Sequence, residues 1–395
     1  MNRIIYILSF FLFSGYYIGL EIIISIGRTD ISRYYSIPIR IIQFLGMLYL
    51  IYKGIKNGLK INSFFFILSF CFLYFLKIFY TENTPIEGNE QPLKNNWIEY
   101  IFYYFVATFL PILAFASFNF KEYSKYVING IIFSSFIFAL VSIYIYYDAI
   151  GTGVGRISLL VYEDPSQEST ISPLALSYGS GLGISLCLYS LFFEKTTFWK
   201  RIYLFTVIGA SLVIFFMGSS RGALVAVLLS IICLFLYSNY KNKIIAAFFI
   251  LISIPLSFIL SEKIGSNLFE RTDDALSSGD TSGRNELWQD AWGQFVNSPI
   301  LGGRIEVSGI YPHNMFLEVI MATGIVGLVL FFIPFFRTLY NGIKISNKDK
   351  IYLIPLIIFI NGFSQNMFSG AIYNMTLLSV GYGIFLSNFN YSKLK

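Results

Sequence analysis

Apolar residues in this chain run in long stretches separated by short polar ones, and the length of the stretches matches lipid. A helix rises 1.5 Å per residue and needs about 20 mostly apolar residues to cross a hydrocarbon layer. Twelve such stretches are legible, at approximately 4–26, 37–52, 61–80, 98–118, 126–147, 173–193, 202–217, 222–237, 244–260, 314–336, 351–367 and 371–388. The apolar run from 202 to 237 is too long for one crossing and breaks at Gly218-Ser219-Ser220-Arg221-Gly222, which predicts a tight hairpin. The last two stretches are separated by Phe368-Ser369-Gly370. The first could pass for a signal peptide, but its apolar run is too long and no small-residue cleavage site follows, which predicts a retained helix. The expected fold class is an all-α integral membrane protein with about 12 transmembrane helices, a single polytopic domain over residues 1–395.

The polar segments alternate in character. Those on one side of the alternation are short, while the other side has three longer ones at about 81–97, 148–172 and 261–313. The last, between spans nine and ten, is the dominant loop. Near 284–296 its pattern predicts an amphipathic helix. Leu287, Trp288, Ala291, Trp292, Phe295 and Val296 fall on one face, and Asn285, Glu286, Gln289, Asp290 and Gln294 on the other. Thr281 or Ser282 is expected to cap its start, and Asn297-Ser298-Pro299 to stop it. The apolar face suits either the membrane interface or the helix bundle.

Composition and charge sharpen this picture. Charged residues make up 13% of the chain, against roughly 25% in soluble proteins, while 56% is hydrophobic and 19% aromatic. That excludes a soluble enzyme, a disordered chain and a nucleic-acid binder. The net charge of +6 conceals a segregation. One side holds 17 basic and 3 acidic residues, the other 11 basic and 19 acidic. Lys and Arg accumulate on the cytoplasmic side, so both termini are expected to be cytoplasmic and the large loop exterior. Cys71, Cys187 and Cys233 lie inside apolar runs, which argues against a disulfide framework or zinc cluster. With His313 the one histidine, a His-rich metal site is excluded and no cofactor is expected.

Most arginines nevertheless fall on the exterior side: Arg28, Arg33, Arg40, Arg156, Arg221, Arg271, Arg284 and Arg304. Lys suffices as a topology signal, whereas the planar guanidinium fork binds phosphate oxygens in pairs. The set therefore points to an anionic, phosphate-bearing ligand. The alternative is pairing with exterior carboxylates such as Asp30 or Glu286. Arg221 is the sharpest case, at the crest of a hairpin among small residues, where it either meets a ligand or snorkels. His313 closes the large loop and is a candidate base, or a structural histidine. Glu318, inside the following span, is a second candidate base. An acid at that depth needs a partner, expected among the arginines. The glycines at 151, 153 and 155 lack the strand and lysine of a phosphate loop. Gly179 and Gly183 read as helix packing, and Asn361, Gln365 and Asn366 either line a sugar groove or bond between helices, the second being favoured.

With these residues in view, the chain resembles the O-antigen ligase and polymerase superfamily of bacterial membrane glycosyltransferases. Ser219-Ser220-Arg221-Gly222-Ala223 resembles its Ser-Arg-Gly element. Ser282-Gly283-Arg284 with Glu286-Leu287-Trp288 and Asn297-Ser298-Pro299-Ile300-Leu301-Gly302 resembles its large-loop signature. Pro312-His313-Asn314, Phe316-Leu317-Glu318 and Thr323-Gly324-Ile325-Val326-Gly327-Leu328 resemble the segment that follows, and Gly155-Arg156 fits more weakly. The specific part covers about 219–330.

The resemblance implies a metal-independent transferase at the exterior face of the bacterial inner membrane, using a glycan on undecaprenyl diphosphate as donor. Arg221 and Arg284, with Arg156 as a lesser carry-over, would bind the diphosphate, and His313 would activate the acceptor hydroxyl. Glu318 is kept beside them as a candidate, and Arg28, Arg33, Arg40 and Arg304 as candidate substrate contacts. The Pro-His-Asn-x-Phe-Leu-Glu pattern looks more like a polymerase, which extends a lipid-linked repeat unit, than a ligase, which moves the finished glycan to lipid A–core. Lipid-linked glycans, membrane lipid and a chain-length regulator are the partners so implied. A transporter or flippase is the competing class. It would favour two repeated halves and a long cytoplasmic middle loop, whereas 194–201 is short and no repeat is evident.

Overall fold

The computed structural model describes residues 1–59, 64–84, 92–93, 96–153, 155–157, 172–277 and 283–391. Among these residues it is helical, with isolated β-bridges and no strand. Helices let an apolar chain satisfy its own backbone inside lipid. In chain order they are α1 (Asn2–Phe11), α2 (Gly15–Ser25), α3 (Ser32–Lys56), α4 (Phe65–Asn83), α5 (Trp97–Ala116), α6 (Phe120–Ile145), α7 (Pro173–Phe193) and α8 (Phe198–Gly218). There follow α9 (Arg221–Tyr237), α10 (Tyr240–Ile264), α11 (Leu268–Ser277), α12 (Arg284–Asn297), α13 (Met315–Lys348), α14 (Leu353–Phe368) and α15 (Thr376–Tyr391).

Among the described residues, helix occupies most of each of the twelve apolar runs. Among the described residues, eight helices are long and apolar enough to cross a membrane, or nine if α1 and α2, bent by 47°, form one span. Arg221–Tyr237 and Thr376–Ser387 are shorter apolar helices, and α10 is helical over 25 residues. The protein is a multi-pass all-α membrane protein. α13 continues beyond the apolar run that ends near residue 336, since Arg337–Lys348, a mixed polar and apolar stretch, is helical as well.

Helix starts follow local chemistry. Asn96, Ser172, Thr197, Ser220 and Asn239 each cap a helix with a side-chain oxygen that accepts a backbone N–H, satisfying donors the helix itself leaves open. The start of α12 differs from expectation. Its cap position is Gly283, in the left-handed region at φ 75° with no side-chain cap bond, and Thr281 and Ser282 lie outside the described residues.

Two compact units can be separated. The first comprises Met1–Gly46, Lys121–Gly279 and Ser346–Asn361, and the second Met47–Phe120, Asp280–Ile345 and Gly362–Lys395. In the first, α7 is the central helix, buried over 78% of its apolar window. Small residues set its packing. A Cβ at Gly179 would lie 2.8 Å from Ser14 Oγ, and one at Gly183 2.6 Å from Ser135 Cβ. Asn361 donates to Ser230 Oγ at 3.0 Å, a bond between helices. In the second unit, α13 is broken at Gly324, whose φ of 61° and ψ of −158° interrupt the helix.

Candidate functional site

In the first unit, the hairpin predicted at 218–222 is a turn of two residues between α8 and α9. Gly218 is required by space, since a Cβ there would lie 2.3 Å from Ser177 Oγ and 2.5 Å from the Pro173 carbonyl. Ser219 takes the left-handed conformation at φ 44°. Its fully buried hydroxyl lies 2.8 Å from the Gly155 carbonyl and 2.8 Å from Ser266 Oγ. Ser220 caps α9 through the Ala223 N–H.

Two other segments close on this turn. Gly155 N–H donates to the Gly265 carbonyl at 2.8 Å, and Asn267 N–H to the Gly155 carbonyl at 2.9 Å. This clasp fixes Arg156, whose Nε donates to the Gly218 carbonyl at 3.2 Å. Arg271, on α11, donates to the Ser219 carbonyl at 2.6 Å, and Arg221 donates to the Arg271 carbonyl at 2.9 Å. Three half-buried guanidinium groups thus gather at one helix N-terminus, where the backbone dipole also favours an anion. Arg156 and Arg221 both stand at this turn, whereas Arg284 belongs to the second unit. Arg271 joins them, although sequence reading had counted it only among the exterior arginines. Its placement depends on the fold of α11, which no local motif announces.

In the second unit, His313 sits between the large loop and α13. Asn314 caps that helix by accepting from the Phe316 and Leu317 N–H groups at 3.0 and 3.3 Å. Trp288 of α12 donates from Nε1 to the Pro312 carbonyl at 2.9 Å. Held from both sides, His313 adopts φ 53°, a strained choice for a residue with a Cβ, costing about 1–3 kcal/mol. Its Nδ1 lies 3.2 Å from the Ser369 carbonyl. A carbonyl only accepts, so Nδ1 carries the proton and Nε2 presents its lone pair. Burial lowers the imidazole pKa, the Ser369 carbonyl opposes this, and the charge of Arg284 lowers it further. The ring is neutral at pH 7, the state a base requires.

Glu318 is fully buried one turn into α13. The arginine partner expected for it is replaced by others. Tyr74 donates its hydroxyl to the carboxylate at 3.0 Å, and the Ile372 N–H reaches both oxygens at 3.0 Å. A carboxyl group buried at that depth needs hydrogen-bond partners, and Tyr74 and Ile372 supply them. The Ile372 bond anchors the crossover 369–375, as does Thr108, which donates to the Ile372 carbonyl at 2.8 Å and accepts from the Met375 N–H at 3.1 Å. That crossover supplies the Ser369 carbonyl to His313. The apolar pattern places 371–375 in the last span and does not show this anchoring, because its partners are about 50 and 260 residues away.

The motif around Gly302 and Gly324 is an interlock. The Ile325 and Val326 N–H groups donate to the Pro299 and Ile300 carbonyls at 2.9 and 3.2 Å, and Gly303 N–H donates to the Met321 carbonyl at 2.8 Å. Lys77 adds a bond to the Gly302 carbonyl at 2.8 Å. The loop after α12 therefore supplies the acceptors that the broken helix needs.

The remaining arginines are placed elsewhere. Exposed Arg28 forms a two-pronged pair with Asp30 at 3.0 and 3.1 Å. Arg33 is exposed in the first turn of α3. Arg40 donates to the Tyr16 hydroxyl at 3.2 and 3.3 Å and lies over the same ring. Buried Arg304 donates to the Thr84 carbonyl at 3.4 Å.

Residues 204–332 match the family model described as O-Antigen ligase. The match takes in Arg221, Arg271, Arg284, Arg304, His313 and Glu318, and leaves out Arg156 and the crossover 369–375. It bears out the resemblance to the O-antigen ligase and polymerase superfamily. No curated protein and no solved structure matches the chain.

Proposed function

We propose that this multi-pass membrane protein, with its O-antigen ligase-like segment, is an O-antigen polymerase. It would transfer a growing glycan from undecaprenyl diphosphate to a lipid-linked repeat unit on the periplasmic side of the inner membrane. The observation that carries the reading is that the matched segment holds both an arginine-lined helix N-terminus and a neutral, oriented histidine.

In the proposed reaction the acceptor hydroxyl gives its proton to Nε2 of His313, and its oxygen attacks the anomeric carbon. The sugar–phosphate bond breaks, and its electron pair leaves with undecaprenyl diphosphate. By the resemblance, Arg221 and Arg284, with Arg156 as a lesser contact, would neutralise the charge growing on the departing diphosphate. A diphosphate departs readily once its charge is balanced, so neither a covalent enzyme intermediate nor a metal ion is invoked. Attack from the opposite face inverts the anomeric carbon. Glu318 acts as a positioning residue, holding the crossover that orients His313. A chain-length regulator is the expected protein partner.

The acceptor separates this from the ligase reading, and the family match is compatible with both. A deletion strain analysed on a lipopolysaccharide gel tests both. Core carrying a single repeat is expected. Bare core with accumulated lipid-linked polymer would make the protein a ligase, and a normal ladder would exclude both.

A further inference from the structure

The second unit contains aromatic machinery beside His313 that the proposed reaction has not used. Val307 and Ile310 exchange backbone bonds at 2.9 and 3.0 Å. Ser308 and Gly309 between them both have positive φ, 51° and 74°, so the chain reverses through a two-residue hairpin of the kind that needs such backbone. Glu306 and Tyr311 immediately flank this hairpin and are brought side by side. The Tyr311 ring meets the His313 ring at a centroid distance of 4.4 Å and the Tyr373 ring at 5.8 Å, edge to face. Tyr373 is carried by the 369–375 crossover and rests edge-on against Tyr100 at 4.9 Å. Tyr100 in turn donates its hydroxyl to Glu306.

Burial divides the group into a base and a face. Tyr100, Glu306 and Pro312 are buried, whereas Tyr311, His313 and Tyr373 are each half-buried. The part left open is therefore two tyrosine rings next to the histidine. A surface meant only for lipid would not carry two phenols and an imidazole. Aromatic rings with hydroxyl rims do suit a pyranose, whose C–H face is apolar and whose edge is rich in hydroxyls. Burial raises the Tyr311 pKa to about 12 and that of Tyr373 well above its ordinary value, with nearby carboxylates adding to the effect. Both phenols stay protonated and can donate to sugar oxygens.

We propose that Tyr311 and Tyr373 form the platform on which the acceptor's terminal sugar ring is seated, with one of its hydroxyls directed at Nε2 of His313. Glu306 and Tyr100 are positioning residues that brace the two rings. The assignment rests on the transferase reading above.

The test uses the full-length chain in proteoliposomes, with a lipid-diphosphate-linked repeat as donor. The acceptor is the same repeat on a short alkyl chain, which has no diphosphate and cannot serve as donor. Tyr311→Ala and Tyr373→Ala should each raise the acceptor KM by about 10-fold, the loss of one good aromatic contact, and leave the donor KM in place. Tyr311→Phe and Tyr373→Phe keep the ring and should raise it less. Thermal unfolding in detergent establishes that each variant is folded. Unchanged acceptor KM in both folded alanine variants, with His313→Ala inactive, would overturn the platform and leave the transferase reading standing. Full activity of His313→Ala would remove the reading on which the platform rests.

Discussion

At the residue scale, His313 concentrates the argument because several independent features converge on it. Its backbone is strained, Nδ1 is occupied by the Ser369 carbonyl, and burial keeps its ring neutral. A base with a lowered pKa works over a wider range on the acid side. The transfer rate should be flat at neutral pH and fall as pH drops through a value below the ordinary imidazole pKa of about 6.5. Arg284 contributes to the lowering, so Arg284→Gln should let the ring protonate more easily and shift the acid limb to higher pH. Rate against pH in proteoliposomes measures both, and an unmoved limb in the variant would remove Arg284 from the histidine's surroundings. Replacing His313 by Ala should cost about 100-fold or more, the usual contribution of a general base. His313 and Arg221 were legible in the sequence because polar residues at the edge of lipid need a reason. Tyr373 and Ser369 were not, since a tyrosine or a backbone carbonyl breaks no rule of composition. Arg28 and Arg40 stand in the sequence as further exterior arginines, and only the fold shows their partners, Asp30 and Tyr16.

At the element scale, the apolar runs were legible as helices because hydropathy and cap residues act locally. The break in α13 was not. Thr323-Gly324 reads as a mild helix irregularity, whereas in the fold it is where Pro299 and Ile300 enter the hydrogen-bond ladder. The glycine is required twice over. Its φ of 61° with ψ of −158° is open to glycine alone, and a Cβ would sit 2.4 Å from the Ile300 carbonyl oxygen. Gly324→Ala should therefore lower the unfolding temperature in detergent by about 5 °C or more, for a cost of a few kcal/mol. Gly209, inside α8 with nothing within 4 Å of a Cβ, is the matched control. Gly209→Ala should be neutral or mildly stabilising, as alanine is the better helix former. Equal unfolding temperatures for the two variants would mean that the interlock contributes nothing to stability. Gly302 belongs to the same joint, since its Cβ would meet the Ala322–Thr323 backbone at 2.4 Å. These glycines of the family-like motif thus serve the scaffold under the site rather than its chemistry.

At the scale of the whole molecule, orientation rests on charge. The expected segregation, 17 basic and 3 acidic residues on one side against 11 and 19 on the other with its flanking spans, would need an even number of crossings, and among the described residues helix occupies most of each of the twelve apolar runs. Counting only long apolar helices gives eight, or nine with the bent pair. The difference lies in α9 and α15, which are shorter apolar helices, and in α10, an apolar helix of 25 residues. If each of these also crosses, the α7–α8 turn is cytoplasmic and α12 is exterior. The three cysteines, Cys71, Cys187 and Cys233, are buried and free, so the background for thiol labelling is low. Lys195 and Asn285 are exposed, one in each segment, and their replacement by Cys disturbs no helix interior. A membrane-impermeant maleimide applied to spheroplasts should label Asn285→Cys at once and Lys195→Cys only after permeabilisation. Labelling of both from outside would mean that a helix between them is re-entrant rather than spanning. The reverse pattern would put His313 and the arginine turn in the cytoplasm, where a glycan already moved outward could not reach them.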